Sequence, residues 1–313
     1  LMGNNILVTG GAGYIGSIMI PELLHAGHKV TVLDNLMYGQ NSLAHVCHNP
    51  NFNVVRGDVR LKDTIAPLLK KAEIIIPLAA LVGAPLCDSD PIGARSVNHD
   101  STLALLKMIG NDQCVLMPTT NSAYGTGDQN NHCTEESELR PISRYAKEKV
   151  AVEKALMRRK NSISFRLATV FGMSPRMRID LLVNDFMYRA THDGFIVLFE
   201  SHFKRNFIHI RDVSRVFLHA INNYEKMQGE IYNVGLPDTN LSKKELCELI
   251  QKYVPNFVFH EAPIGKDPDQ RNYIVANKKI KASNFSPIHS LNSGIQELAK
   301  GYTMIKNSNY RNI

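Results

Sequence analysis

Apolar and polar positions in the first half of the chain follow two alternating periods. Apolar, largely β-branched runs predict strands at Asn5–Thr9, 29–33, 53–56, 73–77, 114–118 and 162–168. Between them, apolar residues recur at helical spacing over 14–26, which stops at Gly27, and over 61–71, 100–109 and 143–159. This alternation predicts an α/β fold, a Rossmann-type doubly wound parallel sheet with helices on both faces. Beyond Gly172 the pattern loosens. Residues 173–178 read as a loop rich in Met, Pro and Arg, and 181–190 as a helix. Strands are expected at 196–199, 205–210 and 231–234, with a helix after Asp212 and another over 241–254 capped by Ser242. The last dozen residues, polar and basic, are expected to fray.

Composition narrows the class. The chain has 313 residues, 44% hydrophobic and 21% charged, an ordinary globular balance. Its apolar stretches are too short and too interrupted by Pro and Gly to cross a bilayer, so no membrane contact is expected. The N-terminus carries no basic stretch or small-residue cleavage site, so no secretory signal is expected. Leu1 ahead of Met2 reads as a cloning remnant. Five scattered cysteines form no CxxC pair, which argues against a disulfide framework and for a cytoplasmic protein. The twelve histidines show no ligand spacing, so no metal is expected. The net charge of +7 is spread in short pairs such as Lys70-Lys71 and Lys243-Lys244. That pattern argues against nucleic acid and for an anionic small molecule.

The first chemistry-bearing motif follows the first strand. Gly10, Gly13 and Gly16 stand at GxxGxxG spacing and open the first predicted helix. They would supply a tight turn, close approach to a pyrophosphate and close helix packing, with the helix N-terminus facing the phosphates. Asp34 ends the second strand, placed to accept from both ribose hydroxyls of NAD and to repel a 2′-phosphate. Asn35 follows it and no arginine adjoins it, which favours NAD over NADP. Asp58, after the third strand, is a candidate partner for the adenine amino group, with Val59 beside the ring; a loop-capping role is the other reading. The predicted division is therefore an NAD-binding domain at 1–172 plus about 205–235, and a smaller α/β substrate lobe at about 173–204 and 236–313.

Tyr145 and Lys149 sit at i and i+4, on one face of the predicted helix 143–159. An ammonium beside a phenol lowers its pKa, so Tyr145 would take a proton from a substrate hydroxyl while hydride leaves the same carbon. A surface Tyr with an i+4 Lys is the bland alternative. The glycine turn upstream favours catalysis.

Together these residues resemble the extended short-chain dehydrogenase/reductase family, in its NAD-dependent epimerase/dehydratase branch acting on nucleotide sugars. The resemblance spans nearly the whole chain and rests on residues 9–16, 34–36, 57–59, 78–80, Asn98, 119–125, Tyr145, Lys149, 166–172 and 205–213. It implies Thr120 as the third catalytic residue. It implies cofactor contacts from Gly10, Gly13, Tyr14, Ile15, Gly16, Asp34, Asn35, Leu36, Gly39, Asp58, Val59, Leu78, Ala79, Ala80 and Asn98, besides Tyr145 and Lys149. Substrate contacts are expected from Thr120, Asn121, Arg176 or Arg178, Asn184, Arg205 and Arg271, with Arg205 and Arg271 offered to a diphosphate. Pro77 replaces a His that often precedes Leu-Ala-Ala, and Thr169 replaces an Asn usual before Val-Phe-Gly.

The resemblance also sorts the reactions. Dehydratases of the family carry Asp-Glu after the catalytic Thr, where Asn121 and Ser122 stand here. Its 3,5-epimerases carry Cys, and its decarboxylases Glu, where Ser122 stands. What remains is hydride transfer at one carbon: a nucleotide-sugar 4-dehydrogenase or a 4-epimerase, with a non-catalytic NAD-binding protein as a third reading. The blocks 74–87, 165–186 and 197–213 resemble GDP-manno-heptose 4-dehydrogenases of bacterial capsule and surface-polysaccharide pathways. That implies oxidation at C4 of GDP-D-glycero-D-manno-heptose. Relatives also imply a homodimer through a four-helix bundle built from the helices near 100–109 and 145–159.

Overall fold

The computed structural model describes residues 3–39, 41–126, 132–237, 239–265 and 271–305. Residues 306–313, most of the tail expected to fray, lie outside the described residues, as do Leu1 and Met2. The strands in chain order are β1 (Asn5–Thr9), β2 (Lys29–Asp34), β3 (Phe52–Arg56), β4 (Ile74–Pro77), β5 (Cys114–Thr120), β6 (Ser162–Leu167), β7 (Thr169–Phe171), β8 (Phe195–Leu198), β9 (Lys204–Arg205), β10 (Phe207–His209), β11 (Glu230–Val234), β12 (Leu241–Ser242) and β13 (Val258–Glu261).

Seven of them form one parallel sheet in the order β11-β6-β5-β4-β1-β2-β3. The order turns back between β1 and β4, and the crevice outside the strand ends at such a switch point is where ligands of open α/β sheets bind. Runs such as Ile74–Pro77 and Ser162–Leu167 are buried throughout, as both-face burial in a parallel sheet requires. One core packs the helices Gly16–His25 and Ile210–Asn222 on one face, with Met19, Leu23, Val216 and Phe217 fully buried. Leu105, Val152 and Leu156 cover the other face.

The remaining strands pair in twos: β7 with β10, β9 with β12, and β8 with β13. Their core, around Phe186, Met187, Leu246 and Ile295, is separate from the sheet's and takes in Tyr14 from the glycine turn and Ile18 from the first helix.

Several boundaries differ from the sequence reading. The strand expected at 205–210 is two short strands, and the helix expected after Asp212 already starts at Ile210. Asp212 is buried inside that helix and accepts from the Ile288 and His289 amides, so it pins the later chain instead of starting the helix. The helix predicted over 100–109 is the end of a longer run, Pro91–Arg95 then a π-turn at Ser96–Asp100 then Ser101–Met108. The helix expected over 241–254 runs Lys243–Gln251, and Leu241–Ser242 pair as β12 instead; β13 and the helices Lys278–Ala282 and Leu291–Tyr302 carried no clear sequence pattern. Among the described residues no helix is long and apolar enough to cross a membrane, and no cluster of His, Cys, Asp or Glu could hold a metal.

Candidate active site

A cavity of about 580 Å³ opens at the carboxyl ends of the sheet strands and runs from the β1–β2–β3 edge to the β9–β12 pair. At its first end the glycine turn is tight by necessity. Gly10 has φ +69°, and a Cβ there would stand 2.5 Å from the Ala79 amide nitrogen. A Cβ at Gly16 would fall 2.2 Å from the Gly11 carbonyl oxygen, so only glycine lets the helix start this close to the turn. At Gly13 the nearest atom would be the Gly10 carbonyl oxygen at 3.1 Å, with no other atom within 4 Å. That is the cradle a diphosphate needs, and it lines the cavity.

Asp34 ends β2 with its Oδ2 accepting from the Ala12 amide (3.0 Å) and Oδ1 from Leu36 (2.8 Å). The carboxylate is thereby held in place at the cavity rim. Leu36 takes φ +56°, an uncommon conformation for leucine, and the Asp34 hydrogen bond fixes it. Asn35, Leu36, Gly39, Val59, Leu78, Ala79 and Ala80 also line the cavity, with Tyr14 and Ile15. An arginine does neighbour Asp34, although not along the chain: Arg56 is its register partner across β2 and β3.

Three expected cofactor or substrate residues have other partners. Asp58 is gripped by Arg60, 2.5 Å away, whose guanidinium holds the carboxyl below its usual range. Asn98 does not line the cavity; it is buried in the π-turn, where its amide exchanges hydrogen bonds with both the N–H and the C=O of Leu81. It therefore positions the 78–82 wall. Asn184 is fully buried too, donating to Tyr14 Oη (3.1 Å) and the Arg178 carbonyl and accepting from the Gly172 amide. Tyr14 Oη donates to the Gly172 carbonyl at 2.7 Å. Tyr14 and Asn184 thus lock the glycine turn to the 172–178 loop.

In the middle of the cavity stand Thr120, Ser122, Ser143, Tyr145 and Lys149. The helix Arg144–Leu156 starts at Ser143, whose hydroxyl accepts from the Ala146 amide and caps it. Tyr145 and Lys149 share its cavity face, with Lys149 Nζ 5.9 Å from the Tyr145 ring centroid and donating to the Pro118 carbonyl at 3.5 Å. Burial dominates both groups. It pushes the Tyr145 phenol up to about 12, against lowering by Arg178 and Arg271, and pulls the Lys149 ammonium down to about 8. The cations that lower the phenol are Arg178 and Arg271, not the expected Lys149, and desolvation outweighs both.

Thr120 ends β5. Its hydroxyl donates to Ser122 Oγ (2.9 Å) and accepts from the Ser122 amide (3.1 Å). Arg271 donates to the same Ser122 hydroxyl. Asn121 is fully buried behind this wall, with neither amide atom bonded among the described residues, and it does not line the cavity.

Beyond Ser122 the lining turns cationic, with Arg178, Arg205, Lys243 and Arg271. Arg178 is paired with Asp180. Arg205 is buried beside Tyr273, 5.8 Å from its ring centroid. Arg176 instead turns toward the cofactor end, its guanidinium 4.0 Å from the Tyr38 ring centroid. Tyr38, Lys243 and Tyr273 are cavity residues that the sequence motifs did not single out. Lys243 alone left a trace, as a cation in the first turn of a well-capped helix, where the dipole disfavours it.

A family model described as the NAD dependent epimerase/dehydratase family matches residues 6–235. The chain belongs to that family. NAD is the family's cofactor, and the glycine cradle and the Asp34 rim fit it. Among curated relatives, a CDP-paratose 2-epimerase of Salmonella typhi is 26% identical, over 94% of this chain and 97% of its own. A putative UDP-glucose 4-epimerase of Methanocaldococcus jannaschii is likewise 26% identical, over 97% and 99%. Among solved structures, a UDP-glucose 4-epimerase of Thermotoga maritima superposes with a TM-score of 0.82 at 25% identity, over 96% of this chain and 98% of its own. A family member of this kind is an NAD-dependent enzyme that modifies nucleotide sugars.

Proposed function

We propose that this chain oxidises the C4 hydroxyl of a nucleotide-linked sugar to the ketone, with GDP-D-glycero-D-manno-heptose as its substrate. One observation carries the reaction type. Among the described residues, the four carboxylates that line the cavity are each already engaged: Asp34 by two amides, Asp58 by Arg60, Asp180 by Arg178 and Asp185 by Arg189. In the chain, Asn121 and Ser122 follow Thr120 and neither is a carboxyl. Elimination of water or loss of a carboxylate needs an acid or base at that place; oxidation at one carbon does not.

Bound NAD supplies the two-electron acceptor for the C4 hydrogen and a positive charge beside the phenol. Tyr145 takes the proton from the C4 hydroxyl, and Thr120 orients that oxygen from the other side. Lys149 favours the phenolate when it carries its proton, and Arg178 and Arg271 act in the same direction. Arg271 and Arg205 receive the diphosphate, so the sugar lies between them and the glycine turn. The preference for a GDP-linked heptose rests on the resemblance of residues 74–87, 165–186 and 197–213 to enzymes of that specificity.

A 4-epimerase is the second reading, favoured by the full-length similarity to two UDP-glucose 4-epimerases, one of them putative. The test is the product mass after incubating the NAD-loaded enzyme with GDP-manno-heptose, GDP-mannose and UDP-glucose in turn. Loss of two hydrogens from a GDP-sugar supports the 4-dehydrogenase. An unchanged mass with a new chromatographic peak selects the epimerase.

A further inference from the structure

Behind the cavity wall, the helix Arg144–Leu156 carries a second buried charge that the mechanism does not use. Glu148 directly precedes Lys149, and both side chains are buried. Glu148 does not line the cavity. Its Oε2 accepts from the Asn98 side-chain amide at 3.2 Å. The same amide nitrogen donates to the Leu81 carbonyl and lies 3.7 Å from Cys87 Sγ. Among the described residues that is the one hydrogen bond of the Glu148 carboxylate, and its donor is neutral.

A buried carboxylate held only by a neutral amide is costly unless a positive charge lies near it. The other charges around it are occupied elsewhere. Glu153, further along the helix, is held by Arg166 at 2.7 Å. In the π-turn, His99 and Asp100 meet each other at 2.7 Å. The helix Ala84–Ser89 presents Cys87, with Asp88 exposed beside it. Arg178 and Arg271 act on Tyr145. The buried cation next to Glu148 is Lys149.

The dependence also runs the other way. Burial works against the Lys149 proton, and Cys87 and Glu148 work for it. Burial pushes the Cys87 thiol up to about 11, so it is neutral where Lys149 titrates, about 8. Glu148 is therefore the anion that acts on Lys149 from behind the wall. We propose that Glu148 is a positioning residue for the reaction: its buried negative charge, held on Asn98, keeps the proton on Lys149 beside Tyr145. A lysine that has lost that proton no longer favours the phenolate. This inference rests on Tyr145 and Lys149 being the catalytic pair of the proposed reaction, and it adds the group that sets the charge of that pair.

The experiment is an NMR pH titration of the NAD-loaded enzyme with isotope-labelled lysine side chains, the Lys149 signal being assigned by its loss in Lys149→Met. The Lys149 midpoint is measured in the wild type, Glu148→Gln, Glu148→Met and Glu148→Asp. The midpoint should fall by about one pH unit in the Gln and Met variants, the scale of one lost opposite charge. In Glu148→Asp, which keeps the charge, it should stay close to the wild type's. Glu148→Gln keeps an acceptor for Asn98, so its shift reports the charge and not the hydrogen bond. NAD affinity within about threefold of the wild type's reports an intact cofactor site in each variant. The alkaline limb of kcat/KM for GDP-manno-heptose should move down with the midpoint. An unchanged or higher midpoint in the Gln and Met variants overturns the proposal, as does an equal fall in all three. Absence of turnover of GDP-manno-heptose, with the midpoints moving as expected, overturns the proposed substrate and leaves this inference standing.

Discussion

Arg271 donates a hydrogen bond to the Ser122 hydroxyl, and the same oxygen accepts the Thr120 proton. Arg271 is thereby one hydroxyl away from the end of β5, and it reaches Ser122 across 149 positions of chain. Ser122 carries a hydroxyl, which does not exchange a proton near neutrality as a carboxyl would. Here it serves as the joint between Thr120 and a phosphate-binding candidate.

Ser122→Ala cuts that joint and leaves Thr120, Tyr145 and Lys149 in place. The expected outcome is a KM for the sugar nucleotide raised about tenfold, consistent with loss of one charge-assisted hydrogen bond, with kcat within about threefold. Tyr145→Phe should do the reverse, lowering kcat by about a hundredfold or more with KM little changed. Steady-state kinetics on both variants separates positioning from proton transfer.

Arg176 and Tyr38 join the 172–178 loop to the cofactor end of the cavity. A guanidinium 4.0 Å from a ring centroid is worth about 0.5–2 kcal/mol. Tyr38 sits in the loop that follows Asp34, so the contact braces the cofactor end of the cavity. Arg176→Ala and Tyr38→Leu should each weaken NAD binding by about three- to thirtyfold, with little effect on sugar-nucleotide KM. The double variant should be no worse than either single one, because both remove one interaction. Fluorescence titration with NADH measures all three.

The sequence made the NAD half of this site readable because its motifs are local. GxxGxxG, Asp34 and the Tyr145/Lys149 pair each need only a turn or one helix face, and the structure brings them to one cavity. The roles of Asn98, Asn184 and Tyr14 were not readable, since each depends on a partner 17 to 170 residues away. The same holds for Asp34 and Arg56. They are 22 positions apart in the chain and adjacent only through the register of β2 and β3. Lys243 was hidden for a related reason: its chain neighbours describe a helix start, and only the β9–β12 pairing reveals which cavity that start faces.

The Arg56 register gives a cofactor prediction. Asp34 repels a 2′-phosphate, and an exposed guanidinium stands on the neighbouring strand. Asp34→Ser removes the repulsion and leaves Arg56 free to meet the phosphate. The NADP-to-NAD ratio of kcat/KM should rise by about tenfold or more, the scale of one charged hydrogen bond. NAD use itself should fall, since the Ala12 and Leu36 amides lose their acceptor. Adding Arg56→Ala should cancel the gain in NADP use and leave the loss for NAD.

Lys149 ties the fold's stability to pH in the absence of cofactor. Burial lowers its pKa from 10.5 to about 8. Between those values the unfolded chain keeps a proton that the folded chain has released, so stability rises with pH across that window. Tyr145 acts in the opposite sense at higher pH. Its folded pKa is raised from 10.0 to about 12, so above pH 10 the unfolded chain loses a proton that the folded chain keeps, and stability falls. The two contributions together peak near pH 10. Lys149→Met removes the rising limb without leaving a buried charge. Relative to that variant, the wild type should gain about 2 kcal/mol between pH 7 and pH 9.5. Urea unfolding midpoints of the two proteins, taken without NAD at both pH values, measure the difference. Equal pH dependence in the two proteins would mean that the Lys149 ammonium keeps its ordinary pKa in the fold, and the desolvated picture of the catalytic pair would fail with it.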